Sequence, residues 1–183
     1  MEASLRCFER WGIAKTTAED VAREAGISRA TVYRLFPGGK SSILEMVGAR
    51  EISRLLDHID EILSNAGDLE TMIVDGIVAS CRALRSHQAL NYLIEHEPEA
   101  VLPFVAFDRL GPALALTSSS CAPVVARFVP LDTAEEIVEW ATRMVLSLTF
   151  FPGHTDPGDF DSVRALVQTF LLPGLALSPH SAN

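Results

Sequence analysis

The sequence predicts an all-α fold, with a three-helix head over residues 1–40 and a larger helical body over residues 41–183. Three observations carry this expectation. Apolar residues recur at helical spacing along most of the chain. Glycine and proline cluster between those stretches. Only the run Pro-Val-Val-Ala-Arg-Phe-Val at 123–129 could pass for a strand.

The elements follow in order. Residues 2–12 form a short helix with Leu5 and Phe8 inward and Gly12 as its stop. Thr17-Ala18-Glu19-Asp20 has the form of a capping box, in which a hydroxyl accepts a free helix N–H and a carboxylate reaches back. The helix it opens turns Val21, Ala22 and Ala25 inward and ends at Gly26. Ser28 caps a third helix running to about Phe36, and Pro37-Gly38-Gly39 breaks it. A long helix over 40–64 carries Ile43, Val47, Ile52, Leu55, Leu56, Ile59 and Leu63 on one stripe. Further helices are expected over 69–84, 89–96, 133–150 and 159–172, with the middle broken by Pro98, Pro103, Gly111, Pro112 and Pro123.

The informative segment is 17–36. Ala22, Gly26 and Val32 each have a geometric task. A small Ala22 lets two helices approach. Gly26 takes the left-handed conformation of a tight turn. Val32 plugs the angle between the helices. Together they describe a helix-turn-helix whose second helix, 28–36, reads a DNA groove. Arg29 is placed to reach a guanine edge. Thr31 suits a thymine methyl or a phosphate, and Tyr33 a phosphate through its hydroxyl. Arg34 completes the exposed face. Thr17, Ser28 and Lys40 open helices, whose free N–H groups suit phosphates. The bland alternative is a helical hairpin with solvated polar residues.

Charge is unevenly spread. The first 50 residues hold eight basic and six acidic side chains, a net of +2, so the remainder carries −11 of a total of −9. A weakly basic head on an acidic body fits nucleic-acid binding at one end. Apolar residues make up 48% of the chain, and mean hydropathy is +0.22, too apolar for disorder. No run approaches about 18 apolar residues, so no membrane span is expected. The start, Met1-Glu2-Ala3-Ser4, has no signal-peptide pattern, and a cytoplasmic protein is expected. Cys7, Cys81 and Cys121 lie far apart, without a disulfide framework or CxxC pair. The five histidines show no HExxH pairing, so neither metal nor cofactor is expected. Gly39-Lys40-Ser41 resembles the end of a phosphate loop, but Arg34 stands where its first glycine belongs. GxSxG and GxGxxG are absent, and catalysis is not expected.

The residues Phe8, Gly12, Thr16-Thr17, Val21-Ala22, Ala25-Gly26-Ile27-Ser28, Thr31-Val32-Tyr33, Phe36, Lys40 and Ile43 resemble the DNA-binding head of the TetR family of transcriptional regulators. The match covers about the first quarter of the chain. More loosely, 143–147 and 171–174 are similar to the closing helices of one regulator subgroup. The resemblance implies a one-component repressor, a homodimer on a near-palindromic duplex operator, released by a small-molecule effector. Family members usually begin well before the Phe8-like position with a basic segment. Here six residues precede Cys7. Either the start is truncated or the protein lacks this arm, and a lost arm is expected to mean fewer phosphate contacts, a shallower salt dependence and a frayed first turn.

The body is expected to supply the dimer face and the effector pocket. Ile137, Trp140, Met144 and Leu148 on one late helix, with Val163, Val167 and Phe170 on the other, are too apolar for water. Two copies of each helix make a four-helix bundle. The alternative is packing within the same subunit. Met72, Cys81, Tyr92, His96, Phe104 and Phe107 mix aromatic and polar groups among apolar ones, as pocket linings do. For any one of them, simple core filling is the competing role. The competing function is a helical dimeric ligand-binding or interaction module without DNA binding.

Overall fold

The computed structural model describes residues 1–99, 110–151 and 153–177. Every regular element among them is helical. None of these helices is long and apolar enough to cross a membrane. The chain divides into two compact units. One is Met1–Leu55 with the described part of Arg85–Leu110, and the other is Leu56–Leu84 with the described part of Gly111–Asn183.

The first unit begins with α1 (Glu2–Lys15), α2 (Ala18–Ala25) and α3 (Arg29–Leu35). It takes in the start of α4 (Lys40–Asn65) and the whole of α6 (Gln88–His96). Its core gathers Cys7, Phe8, Ile13, Val21, Ala22, Val32, Phe36, Ile43 and Val47, with Leu93 of α6 packed at its edge. Packing therefore carries the head past residue 40. The first two turns of α4 insert Ile43 and Val47 into the same core that holds the other three helices.

Two expectations about α1 are corrected. Gly12 does not end the helix. Its backbone turns to φ 78°, ψ 165°, and the helix resumes to Lys15. The break frees backbone groups of 13–15, and remote side chains take them up. Glu97, at the end of α6 and largely buried, accepts the Ala14 N–H at 2.9 Å. Lys40 donates to the carbonyls of Ile13 and Ala14, each at 2.9 Å. Thr16 donates its hydroxyl to the Gly12 carbonyl at 2.6 Å. Nor is the first turn frayed. Glu2 is paired with Arg50 and Arg54 of α4, and Ala3 and Ser4 are buried.

The second unit holds the end of α4 and most of α5 (Leu69–Ser86). It adds α7 (Leu110–Val125), except for Leu110, and α8 (Leu131–Phe150). A last rod starts as α9 (Phe160–Leu166), passes through one wider π turn (Val167–Leu171) and ends as α10 (Leu172–Leu177). Met72, Val74, Ile77, Val78 and Cys81 line the inner face of α5. Gly76 lets α4 come close: a Cβ there would lie 2.9 Å from Leu63. Arg127 closes α4 by donating to the carbonyls of Leu63 and Ser64, both at 2.9 Å. Burial pushes the Cys121 thiol up to about 11, which keeps it protonated and unreactive near neutrality.

Two further readings change. Residues 123–129 are not a strand: Pro123 lies inside α7, and Ala122 and Val125 are buried at helical spacing. Ile52 leaves the α4 stripe and is 45% exposed. Ile137, Val163 and Val167 have at most 1% of their surface free, and Leu148 is also buried. Within the single chain these four side chains are already covered. Apolar periodicity marks a face that must be covered, but not by which chain.

Gly12→Ala is expected to destabilise the protein by roughly 2–3 kcal/mol. The new Cβ would run into the Glu97 carboxylate, lie 2.9 Å from the Tyr92 ring and sit at positive φ. Urea unfolding of the two proteins measures the difference.

Candidate nucleic-acid interface

The site is the turn and the helix after it. Thr17 caps α2 by accepting the Asp20 N–H at 3.2 Å, and Asp20 returns the favour at 3.0 Å to the Thr17 N–H. The Thr17 hydroxyl donates to the same carboxylate at 2.6 Å. These bonds hold the Asp20 carboxyl below the ordinary aspartate range, with the Thr17 side chain as the largest cause. At the other end Gly26 adopts φ 65°, ψ 29°, and its N–H bonds the carbonyls of Ala22 and Arg23. The left-handed residue swings the chain out of α2 within three residues. Ser28 then caps α3, accepting the Thr31 N–H at 3.1 Å.

Val32 is 1% exposed and packs in the core with Ala22 and Phe36. That anchors one face of α3 and leaves the other in water. Arg29, Tyr33 and Arg34 are all exposed, and Thr31 is half-buried. A short, capped helix fastened by one valine and showing arginine, threonine and tyrosine outward has the form of a recognition helix.

The polar groups are not equally available. The hydroxyls of Ser28 and Thr31 lie 2.9 Å apart. Arg29 pairs with Glu19 at 2.6 Å, and its guanidinium lies 5.3 Å from the centre of the Tyr33 ring. Tyr33 first, and then Glu19, hold the Arg29 pKa above its ordinary value. Arg34 has no ion-pair partner among the described residues, and neither does Lys15 at the end of α1. Lys40 opens α4, but its ammonium is committed to the Ile13 and Ala14 carbonyls, so it fixes α1.

Sequence reasoning missed Lys15 and Glu19. Lys15 was legible as a cation two residues before the Thr17 cap. The Glu19–Arg29 pair was not, because it spans the turn and needs the angle between the helices. In the body, Met72 and Cys81 are fully buried on α5, in the second unit. Tyr92 and His96 belong to the first unit, where their rings stack 4.5 Å apart on α6. Phe104 and Phe107 lie outside the described residues. Two open surface depressions, one lined by Arg6, Glu9, Arg10, Trp11 and Glu24, the other by Leu114 and acidic residues of α8, include none of these positions. Of the expected dimer residues, Trp140 and Met144 are half-buried and Phe170 is 69% exposed.

Helices α2 and α3, with the turn between them, have the geometry of a helix-turn-helix. Residues 1–47 match the family model described as bacterial regulatory proteins, tetR family. Over those residues the chain is similar to the DNA-binding head of that family. It is 27% identical over 188 residues to the uncharacterized HTH-type transcriptional regulator Rv1255c of Mycobacterium tuberculosis, spanning 100% of this chain and 85% of that protein. A second relative from the same organism, the uncharacterized HTH-type transcriptional regulator Rv2250c, is 30% identical over 100 residues, 53% of this chain and 49% of its own. The fold resembles that of the TetR family repressor AlkX from a Dietzia strain, implicated in biodegradation of n-alkanes. The TM-score is 0.70 at 19% identity, covering 91% of this chain and 89% of that one. It also resembles the fatty acid degradation regulator FadR from Bacillus halodurans, with a TM-score of 0.58 at 16% identity and 93% coverage of each.

The lowered Asp20 carboxyl sets a pH dependence. A carboxyl that titrates lower in the folded state than in the unfolded chain contributes stability above its unfolded value. That contribution is complete above about pH 5 and drains away as pH falls through about 4 and below. Asp68 and Asp159, which cap their helices in the same manner, are lowered too. Thermal melts of the wild type and Asp20→Asn are expected to differ at neutral pH and to converge in acid.

Proposed function

We propose that the protein is a homodimeric repressor. It binds a near-palindromic duplex operator in the cytoplasm and lets go when a small molecule occupies the body. The observation that carries the DNA-binding part is the outward placement of α3, capped at Ser28, pinned by Val32 and bearing Arg29, Tyr33 and Arg34. Arg34 and Lys15, free of carboxylates, suit phosphates, while the amides at the starts of α2 and α4 add helix-end donors.

A dimer follows from an operator with two half-sites. Phe170 and the half-buried Trp140 and Met144 are the expected residues with surface to give, and the exposed Phe151 beside them in sequence joins the apolar group. Release requires an effector that binds two arrangements unequally. α4 runs unbroken from Lys40 to Asn65, with its start in the head's unit and its end in the body's, so it is the element for the effector to bias. The two structural neighbours are named for n-alkane and fatty acid degradation, so n-alkanes and fatty acids are the first effectors to test.

Gel shifts against the DNA flanking its own gene, at several salt concentrations, test this reading. Operator binding that weakens as salt is raised is expected. Arg34→Ala should weaken binding to all sequences alike and reduce the salt slope by about 1. No binding by a folded dimer would leave a ligand-binding module without DNA.

The interface has its own test. Phe170→Asp is expected to convert a dimer to a monomer in light scattering and to abolish tight operator binding. A dimer that persists would place the interface elsewhere.

A further inference from the structure

The cations of the head fall into two groups, and the difference points to distinct work. Arg34 and Lys15 are exposed and have no ion-pair partner among the described residues. Arg29 is held at two points, by the Glu19 carboxylate at 2.6 Å and over the Tyr33 ring at 5.3 Å. Even so, 63% of its side-chain surface remains open.

Glu19 has no other task that explains it. The capping box of α2 uses Asp20, so the adjacent carboxylate is not needed for the helix end. Glu19 lies in the first turn, where the positive end of α2 favours it. An exposed pair of this kind adds little to stability. A carboxylate here also repels phosphate, so it costs the head general DNA affinity.

We infer that Glu19 is a positioning residue for DNA specificity, which aims the Arg29 guanidinium at a guanine base edge. A guanidinium has five N–H donors in a rigid fork, and only NH1 is engaged by Glu19. The rest of the fork can take the O6 and N7 of guanine together. Ordering a long side chain before binding removes an entropic cost from the specific complex. The negative charge meanwhile lowers affinity for all sequences alike, so it is the ordering of Arg29 that widens the gap between the right base and the wrong one. This inference rests on the DNA-binding reading above.

Selection from a random duplex library by the full-length protein is the test, run in parallel for wild type, Glu19→Gln, Glu19→Ala, Arg29→Lys and Arg29→Ala. Thermal melts of each variant establish that it is folded. The wild type is expected to enrich a motif with a guanine at one position of each half-site. Both Arg29 variants should lose the preference at that position alone. Both Glu19 variants should keep the motif elsewhere but lower the guanine preference there about tenfold, while binding non-specific DNA more tightly. Glu19 variants that bind all sequences more tightly with the motif unchanged would overturn the inference and leave Glu19 a mere repulsive charge. An Arg29→Ala motif identical to the wild type would overturn it as well. If folded wild-type dimer enriches no motif, the DNA-binding reading falls and takes this inference with it.

Discussion

The left-handed backbone at Gly26 is the constraint on which the head depends. A residue with a Cβ resists φ 65°, and without that turn α2 would not hand over to α3 in three residues. The turn is fixed from both sides, by the Gly26 N–H on the last carbonyls of α2 and by the Ser28 cap on α3. Val32 then fastens α3 to the core by one face only. The exposure of Arg29, Tyr33 and Arg34 is a consequence of that geometry.

A second fixture sits behind the first. The kink at Gly12 leaves residues 13–15 as a short stub of helix, held by Glu97 at a backbone N–H and by Lys40 at two carbonyls. One of those side chains comes from α6 and the other from α4. The end of α1, which runs directly into the Thr17 cap of α2, is therefore tied to two elements beyond the helix-turn-helix. A change in the position of α6 or α4 would be felt at that stub.

What the sequence revealed was what is local. Thr17 with Asp20, Gly26 and Ser28 are written within three or four residues of the groups they serve, and each was read correctly. Gly12 was misread as a stop because the compensating carboxylate, Glu97, lies 83 residues from the Ala14 N–H it accepts. Pro123 misled because a proline usually ends a helix, yet α7 carries it on its exposed side. The late apolar stripes were seen, but a stripe cannot say whether its cover comes from the same chain. Val163 and Val167 are covered from within, and Phe170, three residues on, is not. The Glu19–Arg29 pair was invisible for a related reason: two exposed charges ten residues apart meet only because the turn has one angle.

The central claim is that α3 is the surface that meets DNA, and amide chemical-shift mapping tests it most directly. Full-length protein, titrated with a duplex it binds, is expected to show its largest shifts at residues 17–19 and 28–34, with the interior of α5 and the Cys121 region unmoved. Shifts centred on α7 or α8, or none at all on a duplex that demonstrably binds, would contradict the account.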